Sequence, residues 1–287
     1  MKKSFLVGLL SFFFIYGLKA QDFYRSEVGV FLGGSYYLGD LNPSKHFLKT
    51  KFAGGIVYRY NFTPRWALKV NALMGGLEAS DAVSKANVDR NLSFKSYIFD
   101  FSAQVEFNFL QYVTGDKNHF ISPYIFVGAS LFNFSPKAEY DGKWYELQSL
   151  GTEGQGTTIP DTKKPYALTT VAIPFGIGLK ISPHKLISLG LEYGIRKTFT
   201  DYIDDVSTTY ADPVVLAAEN GVAAAALADR TISDEIKLQH PGTARGNPKT
   251  KDWYVFTGVT VAFRIKGKHE RCAAYKQHPK IKIRYKD

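Results

Sequence analysis

The clearest strand signal in the chain is Tyr97-Ile98-Phe99-Asp100-Phe101-Ser102-Ala103-Gln104-Val105-Glu106-Phe107-Asn108-Phe109. Every second residue from Tyr97 onward is apolar, whereas the residues between them are polar except for Ile98. This two-residue period is that of a β-strand with one polar and one apolar face. The segment is longer than the roughly 9 to 11 residues that a tilted strand needs to cross a bilayer.

The same alternation recurs along the chain. It is clear in 56–62, 66–74, 171–179, 187–195 and 253–265, and weaker in 27–38 and 120–134. Aromatic residues make up 15% of the chain, a composition that suits strands and interfacial rings. We therefore expect an all-β fold, an eight-stranded antiparallel transmembrane β-barrel of the outer-membrane type with long extracellular loops.

Connection lengths support this fold, because outer-membrane barrels have short periplasmic turns on one rim and long loops on the other. The short connections are 63–65, 110–119 and 182–185, and the long ones are 39–51, 79–93, 135–165 and 201–251. The two classes alternate along the chain. An even number of strands then places both ends of the barrel on the periplasmic side.

A soluble eight-stranded barrel such as a lipocalin is the main alternative, since its interior is apolar and its exterior polar. Arg59, Glu106, Glu192 and Arg196 lie on the sparsely populated polar faces of the predicted strands. A charge that faces lipid at mid-depth costs roughly 2 to 4 kcal/mol. The charged residues therefore favour a narrow polar interior and an apolar surface in contact with lipid.

Residues 1–20 have the features of a secretory signal peptide. Lys2 and Lys3 precede an almost unbroken apolar stretch over 4–18, and Ala20 is the small residue before the expected cleavage at Gln21. That stretch is shorter than the ~20 apolar residues of a spanning helix, and no lipobox cysteine follows it. We expect export through this peptide and an integral location in the cell outer membrane.

Most of the positive charge lies in residues 266–287. The formal net charge is +10, which falls to +7 without residues 1–20, and residues 266–287 carry +6 of the remainder. The high pI therefore describes a tail and not a nucleic-acid-binding domain. Cys272 is the only cysteine, so no internal disulfide forms, although it could pair with another chain.

The tail closes with alternating basic and apolar residues, and the basic ones are Lys280, Lys282, Arg284 and Lys286. Such a segment could add as an edge strand to a periplasmic partner, so these four residues are candidate partner contacts. Two alternatives remain open. The charges could lie against anionic head groups, or the tail could be a disordered, solubilising extension.

Sequence signatures of catalysis are absent, since the chain has no Walker loop, His-Glu-x-x-His, paired cysteines or Gly-x-Ser-x-Gly elbow. The best acidic cluster is Asp201, Asp204 and Asp205, where the seventh strand enters the longest loop. With His240 it would be compatible with a protease dyad or a Ca²⁺ site, although we favour a solvated strand end.

The alanine-rich segment 213–229 could hold a short helix or be surface filler.

Four segments resemble the PorG family, the small outer-membrane barrel of the Bacteroidota type IX secretion system. They are 31–42, 150–156, 200–207 and 245–254. Their signature residues are Gly33, Gly34, Tyr36, Tyr37, Gly39, Asp40, Gly151, Thr152, Glu153, Gly154, Gln155, Gly156, Asp201, Tyr202, Asp204, Asp205, Arg245, Gly246, Asn247, Pro248, Asp252, Trp253 and Tyr254. The segments run from the first predicted strand to the last.

The resemblance implies a non-enzymatic role in exporting cargo proteins, in association with the periplasmic ring of the PorK lipoprotein and PorN. It implies no catalytic, cofactor-binding or metal-binding residues. An eight-stranded barrel is just wide enough for its own side chains, so we expect an anchor or adaptor and not a conduit. An outer-membrane hydrolase with an acidic rim site and a surface adhesin remain alternatives.

The predicted organisation has three parts. Residues 1–20 are the signal peptide, residues 21–265 the outer-membrane β-barrel, and residues 266–287 the basic periplasmic tail. The expected partners are outer-membrane lipid and the ring proteins, with no nucleic acid.

Overall fold

The computed structural model describes residues 26–159 and 164–265. The strands of this part are β1 (Ser26–Leu38), β2 (Lys51–Asn61), β3 (Trp66–Ser80), β4 (Ser93–Asn108), β5 (Ile121–Tyr140), β6 (Lys143–Glu146), β7 (Thr169–His184), β8 (Ile187–Thr198) and β9 (Trp253–Ile265). The helices are α1 (Asp81–Ser84), α2 (Leu147–Leu150), α3 (Pro213–Glu219), α4 (Val222–Ala228) and α5 (Asp234–Lys237). Within the described ranges, every helix is too short or too polar to cross a bilayer.

Eight strands of the described chain close into a barrel. Each pairs antiparallel with its neighbours in the order β4-β3-β2-β1-β9-β8-β7-β5, and pairing between β5 and β4 completes the circle. The β1–β9 pairing runs from Ser26 opposite Ile265 to Leu38 opposite Trp253. Strand β6 pairs with the far end of β5, above the barrel wall. The predicted fold class and strand count are confirmed.

The barrel wall is apolar outside and polar inside. In β4, Tyr97 and Phe101 are 81% and 53% exposed, whereas the alternating Asp100 and Glu106 are fully buried. A lipocalin-like barrel has the opposite arrangement. The wall therefore has the polarity of a transmembrane barrel, in which an apolar band faces lipid.

Aromatic side chains are found toward both ends of the outer wall. Near the short turns, the Trp66 ring lies 4.9 Å from that of Phe107, which lies 5.5 Å from that of Phe109. Toward the other end, the rings of Phe175 and Trp253 are 6.1 Å apart. Aromatic girdles of this kind occupy the two membrane–water interfaces of outer-membrane barrels.

Short and long connections lie on opposite rims, as predicted. The short-turn rim carries 62–65, 109–120 and 185–186, and the other rim carries 39–50, 81–92, 141–168 and 199–252. One predicted boundary is wrong, because β5 continues to Tyr140 and pairs with β6, so the expected loop 135–165 is partly strand. Asp141 and Gly142 form the intervening turn with φ values of 50° and 70°, as an Asp-Gly hairpin turn requires.

Strand β1 runs from Ser26 toward the long connection 39–50, so Ser26 lies at the short-turn rim. Ile265 lies opposite Ser26, and both ends of the described chain therefore leave the barrel at that rim. The expected even strand count is therefore confirmed, together with the placement of both barrel ends on one side. The predicted signal peptide, residues 1–20, lies outside the described residues. The same holds for the basic tail, residues 266–287, and for Cys272 within it.

Candidate functional site

The long connections fold together over one end of the barrel. We call residues 39–50, 81–92, 141–159, 164–168 and 199–252 the loop cap. Hydrogen bonds within the cap join residues that are far apart in sequence, such as Arg245 to Glu153 and Asn247 to Asp40. The structure therefore brings parts of all four signature segments together, which sequence alone did not indicate.

Arg245 and Glu153 form the centre of the loop cap. The buried Arg245 donates from Nη1 to Glu153 Oε1 at 3.1 Å and from Nε to the carbonyl of Ala228 at 2.9 Å. Glu153 also accepts from the backbone N–H groups of Ser207 at 2.8 Å and Thr208 at 3.1 Å. These contacts compensate for burying the two charges, and they hold connection 141–168 against connection 199–252.

Asp205 lies beside this pair and ties further elements to it. Its Oδ1 accepts from the hydroxyl of Tyr166 at 2.7 Å, and its Oδ2 accepts from the hydroxyl of Thr152. Burial raises the pKa of Asp205 to about 6, and Arg245 acts in the opposite direction. The Tyr166 ring also stacks on Tyr202, with centroids 4.5 Å apart.

Tyr37 lies between two buried aspartates at the top of β1. Its hydroxyl oxygen is 2.6 Å from Asp204 Oδ2 and 2.6 Å from Asp252 Oδ1. A phenol carries one O–H proton, so the second short contact needs a proton on a carboxyl group. Burial is the main cause that raises the pKa of both aspartates well above the usual carboxyl value. The geometry and the pKa direction agree that this group holds an extra proton.

Asp201 lines a small polar pocket of about 260 Å³ beside Lys251. It is only 3% exposed, accepts from the Ser207 hydroxyl at 2.8 Å, and has its pKa raised to about 7 by burial. Asp204 and Asp205 are also buried. The interpretation of these three aspartates as a solvated strand end is therefore wrong, because the long loops fold over them and supply hydrogen-bond donors.

Arg90 joins connections 39–50 and 81–92 to the rest of the loop cap. It donates from Nε and Nη2 to both carboxylate oxygens of Asp81, at 2.8 Å and 2.7 Å. Its Nη1 and Nη2 also donate to the carbonyl groups of Arg245 and Asp40, at 2.8 Å and 3.0 Å. Sequence reasoning missed Arg90 and Asp81, since neither belongs to a motif and their partners come from separate loops.

Beneath the cap, charged side chains fill the lumen. Arg59 is 1% exposed and donates to Glu27 and Glu106 at 2.8 Å each. The lumen also holds Lys69, Lys180 and Glu192, which pair with Glu106 or with each other. Opposite charges from several strands thus meet across the barrel axis. The predicted narrow and polar interior is confirmed.

Two signature glycines are explained by close approach in the cap. A Cβ atom at Gly39 would lie 2.0 Å from the Tyr37 hydroxyl oxygen, and one at Gly246 would lie 2.5 Å from an Asp40 carboxylate oxygen. Both distances are far below van der Waals contact.

The candidate partner contacts Lys280, Lys282, Arg284 and Lys286 lie outside the described residues.

The structure does not bring together the residues of a rim protease or a Ca²⁺ site. His240 Nδ1 lies 2.7 Å from Asp229 Oδ2, and its ring stacks on Tyr210 with centroids 4.4 Å apart. Within residues 26–159 and 164–265, no three His, Cys, Asp or Glu side chains are grouped to hold a metal ion. The cap carboxylates are instead occupied by hydrogen bonds that fasten the loops to one another.

The closed antiparallel wall, its apolar outer face, its polar lumen and its two unequal rims define an eight-stranded transmembrane β-barrel of the outer-membrane type. The family model described as "Domain of unknown function (DUF6089)" matches residues 3–218. The chain belongs to this family.

Several solved structures are similar to the chain at low sequence identity. Ail of Yersinia pestis is 11% identical, with 84% of this chain and 98% of that chain covered and a TM-score of 0.40. Neisserial surface protein A is 10% identical, with coverages of 84% and 97% and a TM-score of 0.40. OprG of Pseudomonas aeruginosa is 8% identical, with coverages of 85% and 98% and a TM-score of 0.38. A comparison with curated proteins gave no match.

Proposed function

We propose that this chain is a non-enzymatic outer-membrane component of the type IX protein secretion system. In this role it anchors or adapts a periplasmic ring of PorK-like and PorN-like proteins to the outer membrane. The resemblance to the PorG family supports the proposal. Parts of the four segments that carry this resemblance meet in the loop cap, where Glu153 and Arg245 pair.

The filled lumen is the observation that carries the proposal. Arg59, Glu27 and Glu106 meet inside the barrel, and the loop cap covers one end. An eight-stranded barrel has room for its own side chains and not for a protein substrate. The chain therefore contributes to secretion through its surfaces and not as the path of the cargo.

The short-turn rim is the surface that suits a ring partner. Both ends of the described chain leave the barrel there, at Ser26 and Ile265. With the long loops outside the cell, this rim and residues 266–287 face the periplasm. The +6 charge of those residues is complementary to an acidic partner surface.

The test is affinity purification of the full-length chain from detergent-solubilised membranes of its native host. A tail variant would carry Lys280→Glu, Lys282→Glu, Arg284→Glu and Lys286→Glu. Its matched control would carry the same charge change at the exposed loop lysines Lys45, Lys85, Lys164 and Lys249. We expect ring components with the wild type and the loop variant, and a loss of at least about tenfold with the tail variant.

Two outcomes would contradict the proposal. Ring components that are consistently missing from the wild-type sample would remove the adaptor role. Equal recovery with the tail and loop variants would show that the basic residues of the tail do not form the contact. Heat-dependent gel mobility of each purified variant separates a failed contact from a failed barrel, because only a folded barrel changes its mobility on boiling.

A further inference from the structure

A wide groove crosses the outer face of the barrel near the loop cap. It has a volume of about 990 Å³ and is lined by residues of β2, β3, β4, β5 and β6. Its walls include Phe52 and Tyr97, which are 75% and 81% exposed. The groove lies outside the lumen and plays no part in the contacts of the cap centre.

Two outward-facing glycines form the floor of the groove. Gly54 on β2 lies opposite Met74 on β3 in the strand register, and Gly76 lies opposite Tyr97 on β4. A Cβ atom at Gly54 would meet its nearest neighbours at 3.5 Å or more. The fold therefore does not require glycine at this position. The missing side chain leaves a depression between the aromatic walls.

Three lysines line the same groove at its loop-cap end, namely Lys51, Lys95 and Lys137, and none of its described lining residues is acidic. Lys51 and Lys137 form ion pairs with Glu78 and Glu146 outside the lining, at 2.5 Å and 3.0 Å. Lys95 instead places its Nζ 4.6 Å above the ring of Trp144. The lysines mark the level at which the apolar wall meets water.

We propose that this groove binds one molecule of an anionic, phosphate-bearing membrane lipid. An acyl chain lies on the Gly54 and Gly76 floor, and the phosphate lies among the amines of Lys95, Lys137 and Lys51. Charge complementarity between the amines and a phosphate determines this choice. The wall strands β2 to β5 are paired on both sides and offer no edge to a protein strand. Among the described strands that line the groove, only the four-residue β6 has an unpaired edge, which is too short to hold an added strand by itself.

Trp144 allows the site to be tested by fluorescence in lipid vesicles. The chain has three tryptophans, so Trp66→Phe with Trp253→Phe leaves Trp144 as the reporter. Trp66→Phe with Trp144→Phe leaves Trp253, which lies under a single lysine, Lys197, at 5.8 Å. Quenching is measured with phosphatidylglycerol or phosphatidylcholine that carries brominated acyl chains, each in phosphatidylcholine vesicles.

We expect brominated phosphatidylglycerol to quench Trp144 at lower mole fraction than brominated phosphatidylcholine. Each lysine near an anionic group contributes a factor of about five. The groove has three lysines and Trp253 lies under one, so the ratio at Trp144 should exceed that at Trp253 by at least about fivefold. Equal ratios at the two tryptophans would overturn the proposal. Failure of either lipid to quench Trp144 would also overturn it, because a protein or a second copy of the chain would then cover the groove.

Variants of the groove wall distinguish a specific lipid-binding site from general attraction of the barrel to lipid. Gly54→Leu fills the floor, and Lys95→Gln with Lys137→Gln removes the amines, so each should abolish the preference at Trp144. The matched controls are Ala129→Leu, on the outer face away from the groove, and Lys197→Gln. A preference that survives both groove changes would contradict the site. Heat-dependent gel mobility verifies that each variant has folded.

Discussion

At the scale of single residues, the lumen shows how a narrow barrel accommodates charge. Arg59 faces the carboxylates of Glu27 and Glu106, and all three side chains are buried. Strand alternation predicted that Arg59 and Glu106 point inward. It did not predict that they meet, because they are 47 positions apart and their contact depends on the register of the intervening strands.

Replacing Arg59 by alanine tests this network. We expect Arg59→Ala to lower the free energy of unfolding by about 3 to 5 kcal/mol, since it leaves two buried carboxylates without their guanidinium. The measurement is unfolding in guanidinium chloride from detergent micelles, followed by tryptophan fluorescence. The control is Arg65→Ala at the exposed short-turn rim, with an expected change below about 1 kcal/mol. Similar losses in both variants would contradict the proposed role of the lumen charges.

At the scale of elements, connection 199–252 combines local signals with long-range contacts. The alanine-rich segment that could hold a helix contains α3 and α4. Asp212 caps α3 by accepting from the N–H groups of Val214 and Val215 at 2.8 Å and 3.2 Å, and Pro213 follows as the first helical residue. The sequence could indicate these helices. It could not indicate the packing of Asp205 on Thr152, which joins two separate loops.

We expect connection 199–252 to open more readily as the pH rises. Burial raises the pKa of Asp204 and Asp252 well above the usual value, that of Asp201 to about 7 and that of Asp205 to about 6. A carboxyl group with a raised folded-state pKa binds its proton more tightly in the folded state. Its stabilising contribution is complete below the unfolded pKa of about 4, and it is lost as the pH rises through the folded value.

The measurement is amide hydrogen exchange of this connection at pH 5 and pH 8, corrected for the intrinsic exchange rate. Protection should be greater at pH 5. The Asn side chain of Asp204→Asn does not titrate, and it can still contact Tyr37. This variant should therefore weaken the dependence of amide protection on pH. The control is Asp234→Asn in α5, where the Asp234 side chain is 99% exposed. It should leave the pH dependence of protection unchanged. Protection that is constant or that increases with pH would show that the buried carboxyl groups do not hold the loop.

At the scale of the whole molecule, the two-residue period carried most of the prediction. It gave the strand count, the two rims and the inward direction of polar side chains such as Asp100, because each depends on local alternation. The loop cap was not predicted. Its centre depends on Arg90 and Arg245, whose partners become neighbours only after the barrel has closed.

The closed barrel predicts heat-dependent mobility in gel electrophoresis. An unheated sample in dodecyl sulfate should migrate as a compact species, because the closed wall leaves no free strand edge at which unfolding could begin. Boiling should shift it to the mobility of the unfolded chain. A soluble protein of the same length, handled identically, should show one position in both lanes. Identical mobility before and after boiling would contradict a stable closed wall.

The eight wall strands form a closed circle in which the first strand, β1, pairs with the last, β9, and Ser26 lies opposite Ile265. The polypeptide chain is therefore interrupted at only one place around the circle, between β9 and β1. A linker between these positions, with new termini opened in the Asp141-Gly142 turn, would keep every strand neighbour in place. Circular permutation at such exposed turns is usually tolerated. Both termini of the permuted chain would then emerge on the opposite face of the membrane. The position of the break, and not the arrangement of strands, determines which compartment the ends of the chain enter.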